Sequence, residues 1–322
     1  MTKALLLALG LREVRQIVGG HQSLGVYAAR LDEQPEDRSD VAAGGRRVVV
    51  KLVDARHVDL DVLTTRARML SQLGANDGAV CRPVALSGRL VNEVRLAGGA
   101  GTAGAAYAVA YELAEGDPPS VTDPGHAALL GRALADLHAS LRPLPRFDLP
   151  PLAAFPPRPA LAGVAAELGA PLDRLPHPAG PDGDLGTTQL LHGDFSRKNV
   201  RIDGPDLSRP VRIFDFDDCG YGPVELDIAL ALYMVLFGTV TGSTPATYTT
   251  FRAGFLGGYR ARAAVDISDA TIDGLITYRV LALASWLRHP GTAPAGVRTA
   301  SPEWRGTLGR FVEDHVDRTF RQ

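Results

Sequence analysis

Residues 191–202 read LHGDFSRKNVRI, and residues 211–217 read VRIFDFD. In the first segment an apolar run leads into a His-x-Asp turn, and an asparagine follows the aspartate by five positions. In the second segment an apolar run ends in closely spaced aspartates. These polar residues stand where short strands are expected to end, which is where side chains from neighbouring strands can meet in one site.

The chain between these polar residues predicts a β-hairpin. Segments 200–203 and 211–214 have the apolar, β-branched content of two short strands, and Gly-Pro-Asp at 204–206 is typical of the turn between them. Pairing of the two strands would bring Asn199, just before the first strand, close to Asp215, just after the second. Two oxygen donors would then face one point beside the carboxylate of the preceding aspartate.

Such a group of oxygen atoms suits phosphoryl transfer, in which the protein mainly aligns the reactants and offsets charge on the phosphate. Mg²⁺ takes hard oxygen ligands, and Asn199 and Asp215 would supply them. Asp194 would orient an acceptor hydroxyl and accept its proton. Each motif alone also fits an ordinary strand-end loop with capping aspartates. Both motifs in this order, with a hairpin between them, favour the catalytic interpretation.

The rest of the chain divides into two parts of different character. Residues 1–113 have strand patterns and one helical pattern, whereas residues 114–322 are mainly helical, with a proline-rich insertion at about 142–187. The sequence predicts an α+β fold with a small β-rich lobe, a larger helical lobe and a ligand cleft between them. The predicted strands are 13–18, 26–31, 47–53, 84–86 and 107–111, and the predicted helices are 61–73, 126–141, 224–236, 247–261, 267–287 and 302–319.

With these motifs in place, the chain resembles the aminoglycoside phosphotransferase and choline kinase-like family of the bilobal protein-kinase-like fold. That family carries HGDxxxxN, then IDF(D/E), then gP…DlA, and this sequence has HGDFSRKN, IFDFDD and GPVELDIA. The resemblance implies that ATP and Mg²⁺ are the cofactors, with Asp194 as catalytic base and Asn199 and Asp215 as metal ligands. It also implies that Asp227 supports the catalytic loop. The helix HAALLGRALADLHASL resembles the family's lg..La.lH helix.

The same resemblance implies that the N-terminal lobe, residues 1–113, binds the nucleotide. The segment VGGHQSLGVY matches the family's phosphate-binding loop loosely through Gly19, Gly20 and Ser23, although a glycine pair by itself also fits a hairpin turn. Lys51, at the end of VVVK, stands in the place of the strand lysine that contacts the α- and β-phosphates. An isolated lysine at a strand end is also compatible with a solvated charge.

The segment after the last strand of this lobe resembles the edge at which the family pairs adenine with main-chain groups. These groups would be the carbonyl of Glu112 and the N–H of Ala114. One departure concerns the helix glutamate that normally pairs with the strand lysine, because Arg66 stands about where that glutamate is expected. Asp59 or Asp61 at the helix start is a possible substitute, and the departure leaves open a non-catalytic, nucleotide-binding regulatory relative.

Other residues near the motifs admit two interpretations. Arg197 and Lys198, inside the catalytic loop, either offset charge on the γ-phosphate or are exposed loop cations. His192 is expected to brace the turn through a hydrogen bond. Cys219 has no adjacent histidine motif and receives no catalytic role.

The acceptor is expected to be small. Only twelve positions separate Asp215 from Asp227, which is short for a segment that docks a polypeptide, so a protein Ser/Thr kinase is the less favoured alternative. Candidate acceptors are an aminoglycoside or other antibiotic, an amino alcohol, a sugar or a homoserine-like metabolite. Residues 217–221 and 278–289 are expected to contribute to the acceptor pocket. The acidic residues at 217, 218 and 225 fit either a cationic acceptor or a solvated acidic turn.

Composition limits the partners and the compartment. The 322 residues carry 34 Lys and Arg against 36 Asp and Glu, so no basic footprint of a general nucleic-acid binder is present. No apolar run approaches the length of a membrane span, and the apolar segment 4–11 lacks a small-residue cleavage site and is read as part of the mature protein. Cys81 and Cys219 cannot form a disulfide framework, so a cytoplasmic location is expected. The oligomeric state stays open.

Overall fold

The structure, a computed structural model, describes residues 2–18, 23–31, 45–76, 78–96, 104–150, 152, 155–176, 188–203, 211–293 and 295–321. By its internal contacts the chain divides into two units, Met1–Glu115 with Pro145–Leu149, and Gly116–Leu144 with Pro150–Gln322. The first, N-terminal unit is rich in strands and the second, C-terminal unit is mainly helical, so the predicted α+β class is confirmed. Within the described residues, no helix is both long and apolar enough to cross a membrane.

The N-terminal unit is built on an antiparallel sheet that has six strands among the described residues, in the order β1-β2-β3-β6-β4, with β5 also paired to β6. β4 and β5 share the edge of β6 opposite to β3, since β4 pairs with residues 110–111 and β5 with residues 104–109. The elements are α1 (Thr2–Ala8), β1 (Leu11–Val18), β2 (Ser23–Leu31), β3 (Arg46–Asp54), α2 (Leu60–Asn76), β4 (Pro83–Val84), β5 (Val91–Leu96) and β6 (Gly104–Glu112).

The central strand β3 alternates between buried and partly exposed side chains from Val48 to Leu52. Val48, Val50 and Leu52 are buried at 1% exposure or less and face the core of the sheet. Because successive side chains of a strand point to opposite faces, Lys51 lies on the other face from Val50 and Leu52. The strand predicted at residues 47–53 is therefore confirmed.

β5 was not predicted, and its core-facing residues explain why. Asn92 and Val94 are the buried positions of this strand, so a polar residue occupies a place where the pattern requires an apolar one. The Asn92 side chain is satisfied because its Nδ2 donates to the carbonyl of Arg89 at 3.1 Å. A buried amide with a hydrogen-bond partner is tolerated in a core, but it removes the period-two signal.

The C-terminal unit contains helices and three pairs of short extended segments among its described residues. Its elements are α3 (Pro124–Leu141), α4 (Arg158–Leu168), β7 (Gln189–Leu191), β8 (Val200–Arg201), β9 (Arg212–Ile213), β10 (Gly220–Gly222), α5 (Glu225–Gly238), α6 (Pro245–Arg260), α7 (Asp269–Arg288), α8 (Ala295–Arg298) and α9 (Pro302–Phe320). β7 pairs antiparallel with β10, and β8 pairs antiparallel with β9. Asp117 and Ile202 form the third pair, an isolated bridge.

α4 lies inside the segment that was predicted as a proline-rich insertion. Its prolines mark the start of a helix, because proline fits the first helical turn, where backbone N–H groups have no helical partner. Leu161, Val164 and Ala165 form its buried face, and Gly169 ends it in a left-handed conformation with φ 66°. The segment predicted as a proline-rich insertion thus contains a helix at residues 158–168.

Two helices of this unit approach each other through glycines. At Gly131 of α3 an added Cβ would meet the carbonyl of Phe255, and at Gly258 of α6 it would meet the carbonyl of Ala128. The absence of side chains at both positions lets the backbones come close along the α3–α6 contact. This close packing fixes the position of α3 relative to α6, and both helices carry residues that support the site described next.

Candidate active site

One buried carboxylate holds the loop that follows β7. Asp227, in the first turn of α5, is 0% exposed. Its Oδ2 accepts the backbone N–H of His192 and its Oδ1 accepts the backbone N–H of Gly193, each at 2.8 Å. Hydrogen bonds to an ionised acceptor are among the stronger ones in proteins. Asp227 thus supports the turn at His192 and Gly193, as the family resemblance predicted for the proposed catalytic loop.

The same carboxylate is part of a buried chain of hydrogen bonds. His138 of α3 donates from Nε2 to Asp227 at 3.1 Å, and its Nδ1 lies 2.9 Å from the hydroxyl of Tyr259 on α6. Burial by itself would raise the pKa of Asp227, but the hydrogen bond and charge interaction with His138 lower it overall. The carboxylate therefore stays ionised as an acceptor. Sequence analysis gave no role to His138, although the helix that carries it was matched to the family.

Gly193 is required by the turn itself. Its φ is 83°, a left-handed value that favours glycine, and an added Cβ would collide with the carbonyl of Asp218. The backbone geometry of the turn therefore requires the glycine of the HGD motif. The turn that it forms presents Asp194 at the end of β7.

His192 braces this turn from inside. It is 0% exposed, its Nε2 donates to the carbonyl of Phe214 at 3.1 Å, and its Nδ1 accepts the N–H of Asp194 at 3.2 Å. Its ring also lies 4.2 Å from that of Phe216, centroid to centroid. Burial lowers the pKa of His192, which agrees with a neutral ring that donates at one nitrogen and accepts at the other. The predicted bracing hydrogen bond is confirmed.

Asn199 joins the two predicted motifs. Its Nδ2 donates to the carboxylate of Asp194 at 3.0 Å and to the backbone carbonyl of Asp194 at 2.9 Å. The main-chain carbonyl of Asn199 accepts the N–H of Phe214, the residue before Asp215, at 3.1 Å. The β8–β9 pairing, with Val200 opposite Ile213, confirms the predicted hairpin, although residues 204–206 of its turn lie outside the described residues.

Asp194 has an unusual electrostatic environment. Burial raises its pKa to about 7, and the carboxylates of Asp218 and Asp215 act in the same direction. The hydrogen bond from Asn199 and the charge of Arg279 oppose this rise. A carboxylate with a pKa close to neutral is suited to receive a proton from a substrate.

Asp215 follows β9 in a strained backbone conformation. Its φ is 70°, a value that a non-glycine residue rarely adopts, and such strain is concentrated at functional sites. The side-chain amide nitrogen of Asn199 donates to Asp194, so its amide oxygen lies on the other side of the amide group. An amide oxygen and a carboxylate are a donor set that fits a hard divalent cation. Among the described residues no group of three or more His, Cys, Asp or Glu side chains forms a metal site, so any such cation would need further ligands from a substrate or water.

The two cations of the loop are exposed. Arg197 and Lys198 begin a single 3₁₀ turn that ends at Asn199. The Arg197 guanidinium donates to the carbonyl of Pro119 at 3.4 Å. Their predicted contact with a γ-phosphate stays a prediction.

Two of the residues predicted to bind the nucleotide phosphates, Lys51 and Ser23, lie in strands of the N-terminal unit. Lys51 of β3 stands opposite Val26 of β2 and Val109 of β6, and its Nζ lies 5.9 Å from the centre of the Tyr111 ring. Ser23 is the first residue of β2. The predicted loop residues Gly19 and Gly20 lie outside the described residues.

Two other predictions concern the end of β6 and the start of α2. Glu112 is the last residue of β6, and its carboxylate pairs with the guanidinium groups of Arg46 and Arg82. Ala114 follows two positions later. At the start of α2 the Asp59 carboxylate accepts the N–H of Asp61 at 2.8 Å and so helps to begin the helix.

Comparisons with known proteins agree with this architecture. The sequence matches the family model described as APH, phosphotransferase enzyme family, over residues 34–265, and no curated protein matches it. The structure is similar to the amicoumacin kinase hAmiN, solved with AMP-PNP, Ca²⁺ and Ami (TM-score 0.69, 20% identity, 99% of this chain and 93% of that chain). It is also similar to a microcompartment-associated aminopropanol kinase (TM-score 0.65, 18% identity, 98% of this chain and 95% of that chain).

A third similar structure is an aminoglycoside phosphotransferase from Alicyclobacillus acidocaldarius subsp. acidocaldarius DSM 446. Its TM-score is 0.60 at 14% identity, over 99% of this chain and 94% of that chain. At such identities the likeness concerns the fold, and it confirms the predicted protein-kinase-like fold.

Proposed function

Because the chain belongs to the APH phosphotransferase enzyme family, we propose that it transfers the terminal phosphoryl group of ATP, with Mg²⁺, to a hydroxyl of a small molecule. Phosphoryl transfer to a small-molecule hydroxyl is the reaction class of the family. The assignment of base and metal ligands rests on this chain's own residues.

One observation carries the proposal. The Asn199 side chain donates to the Asp194 carboxylate at 3.0 Å, while its main-chain carbonyl accepts the N–H of Phe214, the residue before Asp215. This bonding makes the proposed base and the proposed metal ligands one connected unit. An aspartate beside an amide and a second aspartate is the arrangement that phosphoryl transfer needs when one carboxylate serves the acceptor and another serves the metal.

Asp194 acts on the acceptor. Its carboxylate orients the hydroxyl and receives the hydroxyl proton as the acceptor oxygen bonds to the terminal phosphorus and the bond from that phosphorus to ADP breaks. Asp227 and His192 keep the loop rigid, so that Asp194 stays where the acceptor binds. When bound, Mg²⁺ would offset negative charge on the phosphate oxygens, held by Asn199 and Asp215.

The remaining assignments follow the family resemblance. Gly19, Gly20, Ser23 and Lys51 are proposed to contact the phosphates of ATP. The main chain at Glu112 and Ala114 is proposed to pair with adenine. Arg197 and Lys198 are proposed to offset charge on the γ-phosphate. The AMP-PNP and Ca²⁺ of the hAmiN structure support a nucleotide and a divalent metal.

A small acceptor is supported by the short connection after Asp215. The chain passes from Asp215 through β10 to the start of α5 at Glu225, which leaves no room for a long docking segment. The structural neighbours are named for an antibiotic and an amino alcohol. An antibiotic, an amino alcohol, a sugar or a homoserine-like metabolite, cationic or not, is therefore proposed as the acceptor, in preference to a protein hydroxyl.

We also propose a cytoplasmic location, where ATP is available. Cys81 and Cys219 are buried and form no disulfide bond, which suits a reducing compartment.

The test is acceptor-stimulated ADP release across a panel of hydroxyl metabolites and antibiotics. In Asp194→Asn the rate with the best acceptor is expected to fall roughly 10²–10⁴-fold, because the isosteric amide cannot take the proton. Asp136→Asn is the matched control, since Asp136 forms an exposed ion pair with Arg262 on the same unit and its loss should leave the rate unchanged. A wild-type rate in Asp194→Asn would refute the assigned base.

The same assay tests the alternatives and the metal ligands. Asn199→Ala and Asp215→Ala are expected to raise the Mg²⁺ concentration needed for half-maximal rate, and an unchanged Mg²⁺ requirement in both would contradict their assignment. ATP binding without acceptor-stimulated ADP release would favour a regulatory nucleotide-binding protein. Phosphate transfer to protein and to no small molecule would favour a protein kinase.

A further inference from the structure

An arginine that interacts electrostatically with the proposed base has two buried nitrogens without hydrogen-bond partners in the part of the chain that the structure describes. Arg279 lies midway along α7, and its Nε and Nη1 are shielded from solvent with no hydrogen-bond partner among the described residues. Arginine stays protonated in proteins, so both nitrogens are charged donors. Buried donors are nearly always satisfied in native proteins, so this guanidinium requires a partner that the described chain does not supply.

Two aromatic rings fix the guanidinium in place. Its central carbon lies 4.4 Å from the centre of the Trp286 ring and 5.1 Å from the centre of the Tyr233 ring. Aromatic faces attract the positive charge and restrain the plane of the group, but they accept no in-plane hydrogen bond. The two rings therefore hold Arg279 in a defined orientation and leave the edges of its guanidinium for another group.

Arg279 interacts electrostatically with the proposed catalytic base, Asp194. Arg279 lowers the pKa of Asp194, and the carboxylates of Asp194 and Asp218 in turn favour the charged form of Arg279. Neither carboxylate hydrogen-bonds to Nε or Nη1. The guanidinium thus lies within electrostatic range of the hydroxyl that Asp194 would deprotonate, and it is not used up by an ion pair there.

Other arginines do not share this combination. In the described parts of the chain, Arg66, Arg158, Arg252 and Arg305 each leave only Nε buried without a partner. Arg279 leaves two nitrogens in that state. It is also the only arginine of this set that acts on the charge of Asp194. The two unpartnered nitrogens of Arg279 therefore do not reflect a feature common to the arginines of this set.

We propose that Arg279 binds a carboxylate of the acceptor, which makes the acceptor a hydroxyl-bearing carboxylic acid. The proposal rests on the phosphotransferase function described above. A carboxylate accepts two parallel N–H bonds from one edge of a guanidinium, and each edge combines Nη2 with either Nε or Nη1. A carboxylate on one edge would therefore satisfy one of the two unpartnered donors. Arg279 determines specificity and takes no part in the transfer of the phosphoryl group. A hydroxy amino acid would also offer an ammonium group to the acidic residues at 217 and 218.

Three pairs of compounds test the proposal in the wild-type enzyme. L-serine and 2-aminoethanol, L-threonine and 1-aminopropan-2-ol, and L-homoserine and 3-aminopropan-1-ol differ only by the carboxylate. Acceptor-stimulated ADP release with Mg²⁺ and ATP gives kcat/KM for each member. For at least one pair we expect the carboxylic acid to exceed its partner by roughly 30-fold or more, the factor that a buried charged hydrogen-bond pair supplies.

Variants then assign the preference to the guanidinium. Arg279→Lys keeps the charge but removes the planar fork, and Arg279→Gln removes the charge. Both are expected to raise KM for the preferred acid and to bring the ratio within its pair close to one, with kcat/KM for the amino alcohol little changed. Arg288→Gln is the control, because Arg288 lies on the same helix in an exposed ion pair with Glu167. It should keep the wild-type ratio.

The outcomes separate this proposal from the phosphotransferase function. If amino alcohols, sugars or aminoglycosides are phosphorylated as well as or better than any carboxylic acid, the carboxylate assignment is wrong and the phosphotransferase function stands. A wild-type preference for an acid that persists in Arg279→Lys and Arg279→Gln also overturns the role of Arg279. If no compound in the whole panel stimulates ADP release, the phosphotransferase function fails first. The wild-type comparison does not depend on the folding of any variant.

Discussion

The support of the catalytic loop by Asp227 gives a quantitative prediction for Asp227→Asn. The asparagine keeps the size of the side chain but replaces one acceptor oxygen by an NH₂ group. Oδ2 accepts two hydrogen bonds, from His192 N–H and from His138, whereas Oδ1 accepts one, from Gly193 N–H. The less costly orientation places the NH₂ group at Oδ1, where it faces the N–H of Gly193.

The magnitude follows from these three bonds. Gly193 N–H becomes a buried donor without an acceptor, which costs roughly 1–3 kcal/mol. The bonds from His192 and His138 lose their ionised acceptor, and each weakens by about 1 kcal/mol. We expect Asp227→Asn to lower the free energy of unfolding of the C-terminal unit by about 3–5 kcal/mol, in the range for breaking a buried charged network.

Urea unfolding at constant pH and ionic strength measures this loss, and amide hydrogen exchange at His192 and Gly193 reports it locally. Both amides should exchange much faster in the variant. Asp136→Asn is the control on α3, because its exposed ion pair with Arg262 should change neither measurement. A loss below about 1 kcal/mol, or unchanged exchange at both amides, would show that Asp227 does not support the loop as argued.

Three further predictions concern other parts of the C-terminal unit. Gly193→Ala is expected to lower the free energy of unfolding by at least about 2 kcal/mol and to abolish turnover, because the φ of 83° and the carbonyl of Asp218 exclude a Cβ at this position. Normal turnover in the variant would contradict this prediction. Gly258→Ala should lower the free energy of unfolding by about 1–3 kcal/mol, because its Cβ would meet the carbonyl of Ala128. Gly257→Ala, which has open space around it, should instead raise the free energy of unfolding by about 0.5–1 kcal/mol. Equal effects of the two variants on urea unfolding would refute the close contact. Burial lowers the pKa of His315 from 6.5 to about 4, so this residue stabilises the fold by up to about 3 kcal/mol above pH 6.5, and that stabilisation is lost as the pH falls through 4. His315→Gln should flatten this pH dependence of the free energy of unfolding. An unchanged slope in the variant would exclude His315 as its source.

Several parts of the site depend only on local sequence. The order HGDFSRKN, strand, turn, strand, Asp predicts the hairpin that joins Asn199 to the residue before Asp215, because a hairpin pairs residues that are close in the chain. Helix positions follow for the same reason, since capping residues and apolar spacing act over one or two turns. The observed helices α5, α6, α7 and α9 begin within two residues of their predicted starts.

Other parts depend on contacts between distant segments. His138 and Asp227 are 89 positions apart, and only the packing of α3 against its neighbours places their side chains at 3.1 Å. The sequence predicted that residues 278–289 contribute to the acceptor pocket, but only the structure shows that the rings of Tyr233 and Trp286 hold the Arg279 guanidinium and that its charge acts on Asp194. Local patterns indicate which residues can form a turn, strand or helix, so the sequence alone determined the hairpin that follows Asn199 and the fold class. Which buried charges find a partner is decided by long-range packing, and only the tertiary structure shows that Asp227 has partners and that two nitrogens of Arg279 have none among the described residues.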